Sequence, residues 1–338
     1  MAGDATYPRL VADIGGSNAR FGWIDSAATG IGHVKRLPVA AHAGPAEAAQ
    51  SYLQQLEGEL GNGFRLPRHA AFAVATPVAG DRIAFTNSQW DFSTDAVQVA
   101  LGLQSLRMLN DFEALALSLP HLKPEQIRSN GPTPHAGGTL AVVGPGTGLG
   151  VAGVVRTTAG WIALPGEGGH VTLAACDDFE SALLACVRRQ KAHVSAERLL
   201  SGIGLPTLHA AVCEVTGAAV STLTAEQIVE QGLATAGSAC EKTLDVFCAM
   251  LGGFAGNVAL TLGARGGVYI GGGIVPRMAE YFFASRFRQC FEAKGRFQPY
   301  LKAIPTALIT DTLVALVGAA SAMQFGSVDS VEHRHGPI

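Results

Sequence analysis

The stretch Leu140-Ala-Val-Val-Gly-Pro-Gly-Thr-Gly-Leu-Gly-Val-Ala-Gly-Val-Val155 constrains this chain more than any other. An apolar run enters a turn with glycines at 144, 146, 148 and 150, and a second apolar run leaves it. That pattern predicts strand, glycine-rich turn, strand. Glycines at this density let the backbone turn tightly and present bare N–H groups to an anion, most often a phosphate. Thr147 adds a hydroxyl. An ordinary hairpin turn is the alternative, and the loop taken alone does not separate the two.

The rest of the chain must supply walls for such a site. At roughly 150 residues per domain, 338 residues predict two domains. A hydrophobic share of 48% with only 15% charged residues, and a mean hydropathy of +0.26, imply a large buried core. A net charge of −3 argues against nucleic acid as a main partner, which needs a basic face. No apolar run is read as long enough to cross a bilayer, and the first residues lack the basic-then-apolar pattern of a secretory signal. A cytoplasmic protein without a membrane partner is expected. The six cysteines form no C-x-x-C pair and lie in mostly apolar surroundings; they are expected to be reduced, mainly buried thiols, with no zinc site.

In chain order, Arg9–Ile14 and Ala19–Ile24 read as a hairpin whose connection carries Gly15, Gly16, Ser17 and Asn18 directly after Asp13. Small N–H donors suit phosphate oxygens, and Asp13 is placed to hold Mg²⁺ through water. A plain Gly-Gly turn is again the alternative. A third strand over 33–40, a helix over 45–60, a central strand over 70–75 and a strand over 81–86 follow, an α/β rhythm. The strand 105–109 ends at Asn110-Asp111-Phe112-Glu113, with helix from Ala114 to Leu119. A carboxylate just past a strand is where open α/β sheets carry functional groups, although a helix cap explains the same residues. Residues 120–138 are expected to be an inter-domain loop.

Beyond the opening stretch, a strand over 161–165 runs into Gly166-Glu167-Gly168-Gly169-His170, a loop able to offer a carboxylate and an imidazole to ligand hydroxyls. Helices are expected over 178–190, 195–202, 205–215, 224 onward and 238–262. In the second of these Glu197 is by default a solvated or paired residue. A strand over 267–270 ends in Gly271-Gly272-Gly273-Ile274-Val-Pro276, where three glycines leave room for a flat ligand. A last strand (305–310), a last helix (312–323) and a polar tail from Ser327 complete the chain.

Three glycine-rich turns after strands fit several phosphate machines. No lysine follows these glycines as a Walker A loop requires, the alternating glycines of 144–150 do not match G-x-G-x-x-G, and the protein-kinase set is absent. Two Gly-rich hairpins and a C-terminal Gly-Gly-Gly turn stand in the order found in the superfamily of actin, hexokinase and the heat-shock ATPases. In detail, Asp13-Ile-Gly-Gly-Ser-Asn-Ala-Arg20, Leu109-Asn-Asp-Phe112, Gly144-Pro-Gly-Thr-Gly-Leu-Gly150, Leu164-Pro-Gly-Glu-Gly-Gly-His170, His193-Val-Ser-Ala-Glu-Arg198, Leu200-Ser-Gly202 and Gly271–Pro276 resemble the bacterial ATP-dependent glucokinases. The resemblance covers about residues 9 to 325, and its specificity lies in the combination.

The resemblance implies an α/β fold of two ribonuclease-H-like, actin/hexokinase-type domains flanking a ligand cleft, with residues 1–121 plus 312–338 as a small domain and 122–311 as a large one. It implies Asp111 as the general base on the sugar 6-hydroxyl. Asn110, Glu167, His170 and Glu197 would bond the other hydroxyls. Asp13, Gly15, Gly16, Ser17 and Asn18, with Gly146, Thr147 and Gly148, would serve the phosphates, and Gly271 to Ile274 would border the adenosine. ATP and Mg²⁺ are the implied cofactors, glucose the acceptor, and a homodimer the usual assembly. Ser17 replaces a frequent Thr but keeps the hydroxyl. The related ROK kinases and repressors carry a Cys-rich zinc motif soon after Gly-Gly-His, whereas Val171–Asp177 has one cysteine, so no zinc is expected. Another hexose as acceptor, or a sugar- and nucleotide-binding regulator without turnover, are the alternatives.

Overall fold

The computed structural model describes residues 6–85, 88–135 and 137–323. Contacts divide the chain into two compact units: Met1–Ser118 with Thr157–Gly160 and Leu313–Ile338, and Leu119–Arg156 with Trp161–Thr312.

The first unit contains β1 (Arg9–Ile14), β2 (Asn18–Ile24), β3 (Gly32–Pro38), α1 (Pro45–Leu60), β4 (His69–Val74), β5 (Arg82–Ala84), β6 (Asp91–Ser93), α2 (Thr94–Ala100), β7 (Ser105–Asn110) and α3 (Asp111–Ser118). Its main sheet runs in the order β3-β2-β1-β4-β7, and β5 and β6 form a separate ribbon. The strands β1, β2 and β3 pair antiparallel, as tight hairpins must, while β1, β4 and β7 run parallel. Ile14 lies opposite Val74, and Val74 opposite Asn110. Three carboxyl ends therefore meet at one sheet edge, where a doubly wound sheet places its chemistry. The helix α1 starts with Pro45 in its first turn and buries Ala48, Ala49, Tyr52, Leu53 and Leu56, one helical stripe, on this sheet. Phe21 stacks on Tyr52 and meets Phe72 edge-to-face in the core. The expected strand 81–86 is the short β5, and Thr86 and Asn87 lie outside the described residues. The helix expected from Ala114 begins at Asp111 itself.

The second unit contains β8 (Ile127–Asn130), β9 (Leu140–Pro145), β10 (Leu149–Thr157), β11 (Gly160–Gly166), α4 (Asp178–Arg188), α5 (Leu205–Thr216), α6 (Ala225–Ala234), α7 (Ala239–Leu262), β12 (Gly267–Ile270), α8 (Ala279–Ala284), α9 (Phe287–Glu292), α10 (Gln298–Lys302) and β13 (Thr306–Ile309). Its sheet order is β11-β10-β9-β12-β13-β8. From β11 to β13 this repeats the first unit's plan: a hairpin lies on one side of the leading strand and parallel strands on the other. The capping box expected at Thr224 is present, with Gln227 returning its bond to the Thr224 N–H.

Three expectations change here. Residues 120–138 are not simply a loop, because β8 closes the open edge of β13 in antiparallel register from Ile127↔Ile309 to Asn130↔Thr306. Residues 195–202 form turns, not a regular helix: after one Leu200 N–H to Ala196 bond, the N–H groups of Gly202 and Ile203 go to the carbonyls of Gly146 and Thr147. And α7 is long and apolar enough to cross a membrane by length and composition, contrary to the reading that no run is. Within its most apolar window 83% is buried in the protein. Its small residues explain the burial: a Cβ on Gly252 would collide with the Phe287 carbonyl, and one on Gly256 would come within 2.6 Å of the Phe291 carbonyl, so α7 lies close against α9. The cysteines are free; four are buried, Cys290 is half-buried, and Cys176 is exposed rather than buried as most were expected to be. The polar tail from Ser327 lies outside the described residues.

Candidate active site

In the first unit the site grows from the aligned strand ends. The turn Gly15–Ser17 closes through the Gly15 N–H to the Asn18 carbonyl at 2.9 Å, and the Ser17 carbonyl accepts from Val39 N–H at 3.0 Å. Ser17 itself is exposed. The Asp13 and Arg20 positions pair across the hairpin, and Arg20 Nη1 donates to Asp13 Oδ2 at 3.0 Å. Burial pushes the Asp13 carboxyl above the ordinary carboxylate range, against the pull of Arg20.

Asn110 and Asp111 sit at the junction of β7 and α3. Asn110 Oδ1 and Asp111 Oδ1 both accept the Phe112 N–H, each at 2.9 Å, and Asn110 Nδ2 donates to the Thr76 carbonyl at 3.3 Å. The first helical turn is thus capped, which locks both side chains. Burial pushes the Asp111 carboxyl up to about 6, with the Asp13 charge adding to the effect and the Phe112 N–H opposing it. A carboxylate titrating there is matched to accept a proton near neutral pH. Behind it, Gly318 on the helix Val314–Ala322 has no room for a Cβ against the Ala114 carbonyl, so that helix holds α3 at close range.

The second unit gathers the remaining predicted residues. Between β9 and β10, the Gly146 N–H bonds to the Gly148 carbonyl at 2.9 Å, and Thr147 stands exposed at the tip. The Gly202 and Ile203 N–H groups brace this hairpin from behind, at 2.8 and 3.3 Å. Glu197 Oε2 accepts the Leu149 N–H at 2.9 Å, and the Glu197 N–H donates to the Gly169 carbonyl at 2.8 Å. Gly169 in turn packs on the Leu149 carbonyl so tightly that no Cβ fits. The Gly168–His170 turn carries Glu167 and His170, whose Oε2 and Nε2 lie 3.7 Å apart with both side chains largely exposed. Glu167, His170 and Glu197 are therefore brought together around one turn.

The Gly271–Ile274 turn adjoins the same hairpin. The Gly271 N–H bonds to the Val143 carbonyl at 2.9 Å and the Ile274 N–H to the Pro145 carbonyl at 3.2 Å. Gly272 has φ +75, and a Cβ there would strike the Pro145 carbonyl. Gly272 and Gly273 are exposed, Gly271 and Ile274 buried.

Each unit thus collects its own predicted residues: Asp13, Gly15, Gly16, Ser17, Asn18, Asn110 and Asp111 in the first, and the hairpin, Glu167, His170, Glu197 and the glycine turn in the second. Sequence reasoning missed three supports. Arg20 had no role there, although the hairpin register sets it opposite Asp13. The Thr76 carbonyl and the Gly202–Ile203 amides act through backbone atoms, which leave no side-chain signal.

The glucokinase family model matches residues 10–325. The chain is 49% identical over 319 residues to a glucokinase of Aromatoleum aromaticum, covering 94% of this chain and 95% of that one. The crystal structure of a glucokinase from an Antarctic psychrotroph superposes with a TM-score of 0.86 at 36% identity, over 94% of this chain and 98% of the other. The ROK hexokinase of Thermus thermophilus shares the fold at 18% identity, with a TM-score of 0.66 over 93% and 97% of the two chains.

Proposed function

This chain belongs to the glucokinase family, and we propose that it transfers the γ-phosphoryl group of ATP to the 6-hydroxyl of D-glucose with Asp111 as general base. The observation that carries the base assignment is the half-buried Asp111 carboxyl, held by the Phe112 N–H and raised to about 6. Phosphoryl transfer is mostly positioning and charge stabilisation. Asp111 orients the acceptor hydroxyl and takes its proton as the bond to phosphorus forms. Asn110, Glu167, His170 and Glu197 read the remaining hydroxyls, a pattern of fixed acceptors and donors that rejects sugars lacking a matching group. The N–H groups of the two glycine hairpins, with the Ser17 and Thr147 hydroxyls, hold the phosphates, and the open glycine turn at 271–273 borders the adenosine.

Mg²⁺ is supported by the donor set around Asp13. One carboxylate oxygen is taken by Arg20, leaving Oδ1 without a bond from a described residue. Burial makes the Asp13 charge costly, a situation that a hard cation relieves. When bound, Mg²⁺ neutralises charge on the triphosphate, and Asp13 would hold it through water. Zinc is not proposed. The domains are read as 1–121 with 312–338 and as 122–311, the assembly as a homodimer, and the location as cytoplasmic; these rest on the family likeness, and sedimentation of the purified protein tests the dimer.

A coupled assay of ADP release with glucose, fructose, mannose and N-acetylmannosamine tests the function. Glucose is expected to give the highest kcat/KM, and a higher value for another hexose would reassign the acceptor.

A further inference from the structure

At the opposite end of β9 and β12 from the glycine turns, a cavity of about 600 Å³ is lined by His135, Gly138, Thr139, Arg265, Tyr300 and Ile304, among others. None of its lining residues belongs to the candidate active site. It lies where Leu140 and Gly267 begin their parallel strands, whereas the phosphate hairpin and the Gly271 turn lie where those strands end.

The lining is rich in donors. Arg265 carries a permanent charge, and among the described residues it makes no ion pair. Among the described residues no Asp or Glu lines the cavity. His135 Nδ1 accepts the Gly137 N–H at 3.2 Å, so a neutral ring carries its proton on Nε2, which is left to donate elsewhere. Thr139 and Tyr300 add hydroxyls. The groups are held at fixed spacing: the His135 N–H bonds to the Gly266 carbonyl at 3.2 Å and the Gly266 N–H to the Thr139 carbonyl at 3.0 Å. The backbone packs closely here: a Cβ on Gly266 would lie 2.7 Å from the His135 carbonyl and 2.9 Å from the Gly138 carbonyl.

A guanidinium fork with an imidazole N–H and hydroxyls matches the several oxygens of a phosphate better than the two of a carboxylate. The volume falls within the roughly 300–1,000 Å³ of small-molecule sites and far exceeds a bare phosphate. Tyr300, Ala303 and Ile304 offer an apolar wall for the remainder of a ligand. We propose that this cavity is a second ligand site, separate from the catalytic residues, that binds a small organic phosphomonoester through Arg265 and His135.

The test is isothermal titration of the full-length enzyme with its catalytic site filled by glucose and ADP. The probes are inorganic phosphate, glycerol 3-phosphate, 3-phosphoglycerate and ribose 5-phosphate. At least one organic phosphomonoester is expected to bind saturably and about tenfold or more tighter than inorganic phosphate. Arg265→Ala is expected to weaken that binding by about tenfold or more, and His135→Gln to weaken it less. The unliganded kcat of Arg265→Ala should stay within about twofold of the parent, which shows that the variant is folded. Absence of saturable binding by every organic probe overturns the proposal, as does an affinity unchanged in Arg265→Ala. Equal affinities for inorganic phosphate and the esters overturn the assignment of an organic ligand.

Discussion

Glu197 Oε2 accepts the backbone N–H of Leu149 at 2.9 Å. A carboxylate assigned to the sugar is thereby fastened to the strand that leaves the phosphate hairpin, and a Cβ on Gly148 would meet the same oxygen and push it aside. Gly148→Ala is expected to displace the Glu197 carboxylate from the Leu149 N–H. Steady-state kinetics should show kcat/KM for glucose lower by about tenfold or more, from the sensitivity of transfer to small misplacements, with KM for ATP raised as well. If both parameters matched the parent, the fastening would have no catalytic consequence.

Asp111→Asn keeps the shape and the bond from the Phe112 N–H but cannot accept a proton. Turnover on glucose should fall by at least about 10²-fold, the usual scale of general-base catalysis, while the glucose Kd measured by calorimetry stays within a few-fold. Near-normal turnover would remove Asp111 from the base role.

The raised Asp111 carboxyl sets a pH dependence with a definite sign. With its folded value at about 6, the ionised base accumulates as pH rises, so kcat/KM should climb through about pH 6 and level off above it. Stability moves the other way. Between the ordinary carboxylate range and about 6 the folded state holds the extra proton, so the Asp111 contribution to stability falls as pH rises through that window. At neutral pH the desolvated charge is a cost on the order of 3 kcal/mol, and Asp111→Asn should raise the unfolding midpoint there. A lowered midpoint would show that the bonds made by the ionised carboxylate outweigh the cost of burying its charge.

Gly318 lets the helix Val314–Ala322 approach the carbonyl of Ala114, one turn into the helix that begins at Asp111. Gly318→Ala forces the helices apart and should cost about 1–3 kcal/mol, as overpacking does. Denaturant titration reads the stability loss, and kcat should fall with it because Asp111 rides on the displaced helix. Full stability and activity would mean that the helices separate without strain.

Removal of Mg²⁺ by a chelator should abolish phosphoryl transfer and leave glucose binding intact. Asp13→Asn is expected to raise the Mg²⁺ concentration for half-maximal activity by about tenfold or more, from the loss of a charged hydrogen-bonding ligand to its hydration shell. An unchanged requirement would place the metal elsewhere.

Most strands and long helices were legible because their signals are local. Gly15–Asn18 and Gly146–Gly148 announce hairpins through glycine, Thr224 and Gln227 announce a helix start through capping, and α1 shows its core face through spacing. Residues 195–202 were misread because their helical signal competes with the carbonyls of Gly146 and Thr147, which are remote in sequence. The strand β8 was hidden because a sheet edge is defined by its partner, here β13. The membrane-like composition of α7 was resolved only by its burial against α9.

By itself the sequence determined which chemistry is available: hydroxyls and bare amides for phosphates, and Asp111, Glu167, His170 and Glu197 for a polyhydroxylated acceptor. Tertiary structure decided which of these groups meet and how they titrate. Parallel register sets Asn110 beside Val74 and level with Ile14 one strand further on, which puts Asp111 near Asp13, and burial there raises its carboxyl. Close backbone packing at Gly169 brings Glu197 onto Leu149. Side-chain identity is a local property, whereas proximity and desolvation belong to the packed chain.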